Sequence, residues 1–162
     1  MKLAVWLDGV IFKANLTERL YKIYKEGSFE LPTLGNAETY GDYLVLKEYE
    51  KDMAILSPFS KEETERLLKK VQLKPSILVY NKGKTKPSLI PYKELFEVSE
   101  WDPLEVITIG ASPLDLLSCR FYDSRVRIIC VNRREECDKY SPTFMINDLN
   151  ELGRALRTLK VT

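Results

Sequence analysis

Short apolar, β-prone runs alternate with amphipathic helical stretches along the whole chain, and this alternation constrains the fold more than any other feature. The runs are Leu3–Leu7, "MAIL" at 53–56, "ILVY" at 77–80, "VITIG" at 106–110, "VRIICV" at 126–131 and "FMI" at 144–146. Between them, "NLTERLYKIYKE" puts Leu16, Leu20, Ile23 and Tyr24 on one helical face and stops at Gly27. "SKEETERLLKKV" begins with Ser60 and Glu63 at capping-box spacing. "PSLIPYKELFEVSEW" and "SPLDLLSCRFY" read as two further helices, and "DLNELGRALRTL" as a closing one with Leu149, Leu152, Leu156 and Leu159 inward. Strands apolar on both faces, interleaved with helices, predict a parallel sheet covered on both sides. The segment "GSFELPTLGNAETYGD" is the least regular, and Tyr43–Lys51 reads as an additional helix.

An open α/β sheet keeps its chemistry at the carboxyl ends of its strands. Polar residues gather there, at Asp8, Ser57 and Ser112. Which chemistry they can perform is narrowed by what is missing. The chain has no histidine, which removes Ser-His, Cys-His and His-metal sites and leaves carboxylates, lysine or an oxygen-held metal. Its 25 basic and 24 acidic residues nearly cancel, so nothing calls for nucleic acid or an acidic membrane as partner. No apolar run approaches the roughly 20 residues of a membrane span. The opening does not read as a secretory signal, and a cytoplasmic location is expected. The three cysteines lack a C-x-x-C pair, predicting neither a zinc knuckle nor a disulfide framework, and Cys119 and Cys130 read as small core residues. "RREECDK" at 133–139 reads as a solvated, charge-balanced turn. At 162 residues a single domain, 1–162, is expected.

The strand ends carry motifs in a fixed order: "WLDGVIF" at 6–12, "ILSPFS" at 55–60, "KGKTKPSLIPYKEL" at 82–95 and "VITIGASPLDLLSCR" at 106–120, followed by "FMINDLNEL" at 144–152. Together they resemble the haloacid dehalogenase-like superfamily, mostly magnesium-dependent phosphatases, over nearly the whole chain. The resemblance implies a three-layer Rossmann-like α/β domain with a mostly parallel central sheet. It also implies a rudimentary cap, with the insertion 13–52 holding the flap and whatever cap there is. An open site of this kind is associated in the family with large or macromolecular partners.

The family's first motif supplies two acids, one attacking the phosphoryl group and ligating magnesium, the other protonating the leaving oxygen. By the resemblance, the second is Asp8 and the first is replaced by Trp6, whose indole cannot form an acyl phosphate. In the fourth motif Ala111 stands where an acid would hold the metal, leaving Asp115. Magnesium needs oxygen ligands, so no cofactor is expected. Ser57, Lys86 and the Gly9 backbone would remain to hold a phosphate.

The expectation is therefore a non-catalytic member that binds a phosphorylated small molecule or a protein partner. The alternative is a magnesium-dependent phosphohydrolase using Asp8, Asp115 as metal ligand and an acid such as Asp42. Plainer roles stay open beside these. Asp8 also fits a turn cap, Ser112 and Asp115 fit a capping box, and Ser57 fits a loop hydroxyl satisfying a nearby N–H. Lys86 shares a basic loop with Lys82 and Lys84, and only the family spacing separates them.

Overall fold

A computed structural model describes residues 1–160. Among the described residues, six strands form one sheet in the order β3-β2-β1-β4-β5-β6, with every neighbouring pair parallel. The strands are β1 (Lys2–Trp6), β2 (Met53–Leu56), β3 (Ile77–Val79), β4 (Val106–Gly110), β5 (Arg127–Val131) and β6 (Phe144–Ile146). The helices are α1 (Thr17–Glu26), α2 (Lys61–Val71), α3 (Ile90–Ser99), α4 (Pro113–Tyr122) and α5 (Leu152–Lys160), completing a three-layer α/β architecture. The alternation in the sequence is thus the alternation in the fold. Tyr43–Lys51 lies within a 3-10 helix, Gly41–Asp52, rather than an α-helix.

Strands β1 and β4 lie at the centre of the sheet and are buried almost throughout, as two-sided apolar strands must be. The chain leaves β1 toward β2 on one side and reaches β4 on the other, so the order of connection reverses between them. That reversal opens a crevice above their carboxyl ends. Leu149, in the 3-10 turn 149–151 that leads into α5, and Leu152, Leu156 and Leu159 within it are all buried, as the spacing predicts. Each such side chain contributes about 1.5–3 kcal/mol relative to exposure, enough to hold a nine-residue helix that would not persist alone.

Two local expectations need correction. Ser60 caps α2 by accepting the Glu63 N–H, but the Glu63 carboxylate does not return the bond. It accepts the Leu34 N–H at 2.8 Å and pairs with Arg66 at 2.6 Å, so half the capping box is spent anchoring the irregular segment. The stretch 133–139 is a solvated turn only in part: Arg134, Glu136, Asp138 and Lys139 are exposed, but Arg133, Glu135 and Cys137 turn inward. The Arg133 guanidinium forks onto both Asp42 oxygens at 2.9 and 2.7 Å, donates to Val10 O at 2.9 Å, and stacks on Tyr40 with 3.9 Å to the ring centroid. Asp42 also accepts the Leu149 N–H at 3.0 Å. Cys137 is buried and forms a disulfide with Cys130, their Cα atoms 6.0 Å apart, where no pairing was expected. Cys119 is a buried free thiol, pushed up to about 12 by burial, and matches its reading as a core residue.

Two backbone bonds between 11–13 and 38–40 close the segment between them into a loop beside β1. Lys13 N donates to Glu38 O at 2.7 Å, Tyr40 N donates to Ile11 O at 2.9 Å, and the Arg133–Asp42 clasp lies beside them. Between these stitches α1 carries only Leu20 as a buried residue.

Candidate functional site

The turn that follows β1 is built around Gly9, at φ +82°, a conformation that disfavours any side chain. A Cβ there would also lie 3.3 Å from the Ala111 Cβ. The Gly9 N–H donates to Phe12 O at 2.7 Å, which closes the turn and leaves that N–H no proton for a ligand. Asp8 is carried into the crevice and is 1% exposed.

From the loop after β3, Lys86 reaches the same point and is equally buried. Its ammonium donates to Asp8 Oδ2 at 2.7 Å and to Asp115 Oδ1 at 2.5 Å, and sits 4.4 Å from the centroid of the Trp6 ring. Burial alone would push this lysine down, but the Asp115 and Asp8 carboxylates more than reverse that and hold it above the ordinary lysine range. An ammonium has three protons; two go to carboxylates and the remaining positive face meets an indole.

Asp115 serves two structures at once. Its Oδ2 accepts the N–H groups of Ala111 and Ser112 at 2.9 and 3.0 Å, completing a capping box with Ser112 at the start of α4. Its Oδ1 takes the lysine. Burial raises its pKa, and Asp8 adds to that against the opposing pull of Lys86. The capping reading of this residue is thus present in the geometry, and its other oxygen is taken by Lys86 rather than left open to a metal.

Trp6, in the position the resemblance gives to the nucleophile, is fully buried and belongs to a closed chain of hydrogen bonds. Thr108 Oγ1 donates to Ala4 O at 3.0 Å, so the Tyr92 hydroxyl donates to Thr108 at 2.6 Å and accepts the indole N–H at 3.0 Å. Every polar atom of that chain has a partner, which is the condition under which a buried polar network stabilises. Trp6 is a packed member of the core that also presents its ring to Lys86.

Ser57 makes no hydrogen bond to Asp8, Lys86 or Asp115. Thr64 Oγ1 donates to Ser60 O at 2.6 Å, so the Ser57 hydroxyl proton goes to Thr64 at 2.7 Å, while Ser57 Oγ accepts the Phe59 N–H at 3.1 Å. Its role here is that of a loop hydroxyl bridging β2 to α2. Asp42, weighed as an extra acid, is held by Arg133 and does not join the site.

A third carboxylate, which sequence reasoning missed, approaches from the loop after β5. Glu135 accepts the Thr17 hydroxyl, and Thr17 Oγ1 in turn lies 2.9 Å from Ser112 Oγ. Its Oε2 lies 3.6 Å from the point a Gly9 Cβ would occupy, and burial pushes its pKa up. Nothing in "RREECDK" marks Glu135 over its acidic neighbours; only the fold brings it within reach of residues so distant in sequence.

The magnesium ion implied by the resemblance does not fit this donor set. Asp8 and Asp115 are committed to an ammonium, both Asp115 oxygens are in use, and a divalent cation would have to sit against Lys86. Among the described residues no group of three or more His, Cys, Asp or Glu side chains is arranged to hold a metal. One atom stands out. Asp8 Oδ1 is buried and has no hydrogen-bond partner among the described residues.

No family model matches the sequence, and no curated protein sequence matches it. Solved structures do. An L-2-haloacid dehalogenase from Xanthobacter autotrophicus superposes with a TM-score of 0.74 at 16% identity, over 97% of this chain and 98% of that one. A HAD-superfamily hydrolase of subfamily IA from Geobacter sulfurreducens gives 0.67 at 16% identity over 96% and 99%. A haloacid dehalogenase-like protein of unknown function from Agrobacterium tumefaciens gives 0.70 at 13% identity over 99% of each chain. With the parallel sheet order and the crevice between β1 and β4 already described, these likenesses establish that the chain has the haloacid dehalogenase-like fold.

Proposed function

We propose that this chain is a non-catalytic domain of haloacid dehalogenase-like fold, whose former reaction centre is an internal ion-pair core and which acts by binding. The observation that carries this is the triad of Asp8, Lys86 and Asp115. One ammonium is held between two carboxylates over an indole, all of them buried. The indole supplies no nucleophile, and the ammonium that would steady a transferring phosphoryl group is neutralised twice over. A phosphate placed against this triad would meet a net negative charge. Ser57 and Gly9 have their protons engaged elsewhere, so the triad face favours closure over phosphate capture.

The test is hydrolysis of an aryl phosphate with magnesium, comparing the unaltered chain with Asp8→Asn. The expected result is that phosphate release by the two is indistinguishable from the uncatalysed background. Turnover in the unaltered chain that disappears in Asp8→Asn would overturn the reading and restore a magnesium-dependent phosphohydrolase built on Asp8 and Asp115.

A further inference from the structure

The disulfide between Cys130 and Cys137 closes residues 131–136 into a ring at the carboxyl end of β5. Both cysteines are 1% exposed, but the ring itself reaches the surface, where Asn132, Arg134 and Glu136 are exposed. The two polar side chains that turn inward, Arg133 and Glu135, each grip a different part of the insertion. Arg133 forks onto Asp42 in the 3-10 helix 41–52, and Glu135 accepts the hydroxyl of Thr17, the first residue of α1. One covalent bond thus stands behind two contacts that lie far apart in the sequence.

A short loop that alternates exposed and inward residues has no core of its own, so its order depends on what closes it. The surroundings also suit the open form. Cys137 Sγ lies 3.7 Å from Gly110 O, so a thiol at that position has an acceptor within reach and is not stranded in the interior. Gly110 is the last residue of β4, next to the Ala111 N–H that Asp115 accepts. Both oxidation states of the pair are therefore accommodated at the edge of the crevice.

We propose that Cys130 and Cys137 form a redox switch, operated by exchange with a dithiol, that sets how tightly the insertion 13–52 is held to the sheet. A thiolate of the dithiol attacks one sulfur of the pair, the Cys130–Cys137 bond breaks, and its electron pair leaves on the other cysteine as a thiolate. The second thiol of the reagent, once deprotonated, displaces the attacked cysteine from the mixed disulfide and closes the reagent into a cyclic disulfide. The two protons the reagent gave up end on Cys130 and Cys137, which have gained the two electrons it lost. The reverse sequence, with the cyclic disulfide as oxidant, restores the pair. Reduction leaves the ring tethered through β5 alone, so the grips on Asp42 and Thr17 loosen together. The switch stands apart from the non-catalytic reading, since neither step involves Asp8, Lys86 or Asp115.

The experiment equilibrates the full chain with mixtures of reduced and oxidised dithiothreitol, quenches it in acid, and counts thiols by mass after alkylation with N-ethylmaleimide in denaturant. One thiol, that of Cys119, is expected at the oxidising end and all three at the reducing end, with the change reversible. Amide hydrogen exchange at short labelling times then compares the two forms. Residues 17–26 and 41–52 are expected to exchange about tenfold faster after reduction, while β1 and β4 stay unchanged. A double variant, Cys130→Ala with Cys137→Ala, should exchange like the reduced chain and ignore dithiothreitol; the main comparison uses the unaltered chain and does not depend on that variant folding. Three thiols in every mixture would mean that no disulfide forms, and one thiol in every mixture would mean a permanent staple; either overturns the switch. So would exchange that is identical in the two forms or that quickens equally along the whole chain. Phosphate release is not measured, so failure here leaves the function proposed above standing, and catalysis would leave this switch standing.

Discussion

Lys84 and Lys86 stand two residues apart in one loop and occupy opposite electrostatic worlds. Lys86 is 1% exposed, bonded to two carboxylates and faced by an aromatic ring. Lys84 is exposed and, among the described residues, unpaired. The same side chain is in one case a fastening of the core and in the other a charge available to solvent or ligand. The difference teaches that a lysine's contribution to function is set by what already holds its ammonium, more than by its distance from a crevice.

The contrast predicts a steep gradient of mutational effects. Lys86→Met should be the most damaging, since it strands two buried carboxylates; breaking a buried pair in this way costs about 3–5 kcal/mol. The loss should shrink on acidification. Asp115, already raised by burial, would lose its opposing cation, so its folded pKa would rise further above the unfolded value near 4. The folded variant then binds more protons than the unfolded chain within that window, and its stability falls as pH rises through it. In the unaltered chain the sign at high pH follows from Lys86. Its pKa is raised, so its contribution is complete below the ordinary lysine pKa and is lost as pH climbs through the folded value. Denaturant midpoints measured from pH 4 to 7 on both proteins check the carboxylate sign, and an alkaline series on the unaltered chain checks the lysine sign; a deficit that stays constant from pH 4 to 7 would show the carboxylates are not stranded.

A smaller loss is expected for Trp6→Phe. It keeps a ring under Lys86 but removes the N–H donated to Tyr92, whose hydroxyl still has Thr108. About 1 kcal/mol is expected beyond the packing change, and a double-mutant cycle with Tyr92→Phe should recover part of it. Lys84→Ala should cost less than about 0.5 kcal/mol, as for an exposed side chain outside any network. A loss from Lys84→Ala approaching that from Lys86→Met would collapse the comparison.

Much of the fold was legible because its signals are local. Two-sided apolar runs gave the sheet, leucine spacing gave α5, and Ser112 with Asp115 gave the start of α4. The site was legible only in part. Asp8, Lys86 and Asp115 were picked out through the resemblance, whereas composition alone could not rank Lys86 above Lys84. Arg133 and Glu135 were missed because their partners, Asp42 and Thr17, lie 91 and 118 residues away, beyond any periodicity. The Ser60 and Glu63 spacing misled for the opposite reason: a local pattern was present, but a distant N–H at Leu34 competed for the carboxylate.

The paired backbone bonds, Lys13 to Glu38 and Tyr40 to Ile11, turn the chain between them into a hoop with fixed footings. Bringing the ends of a long loop together carries an entropic cost, and here the folded protein has already met it. A loop with few buried side chains is thereby kept beside the sheet by its footings rather than by a core of its own.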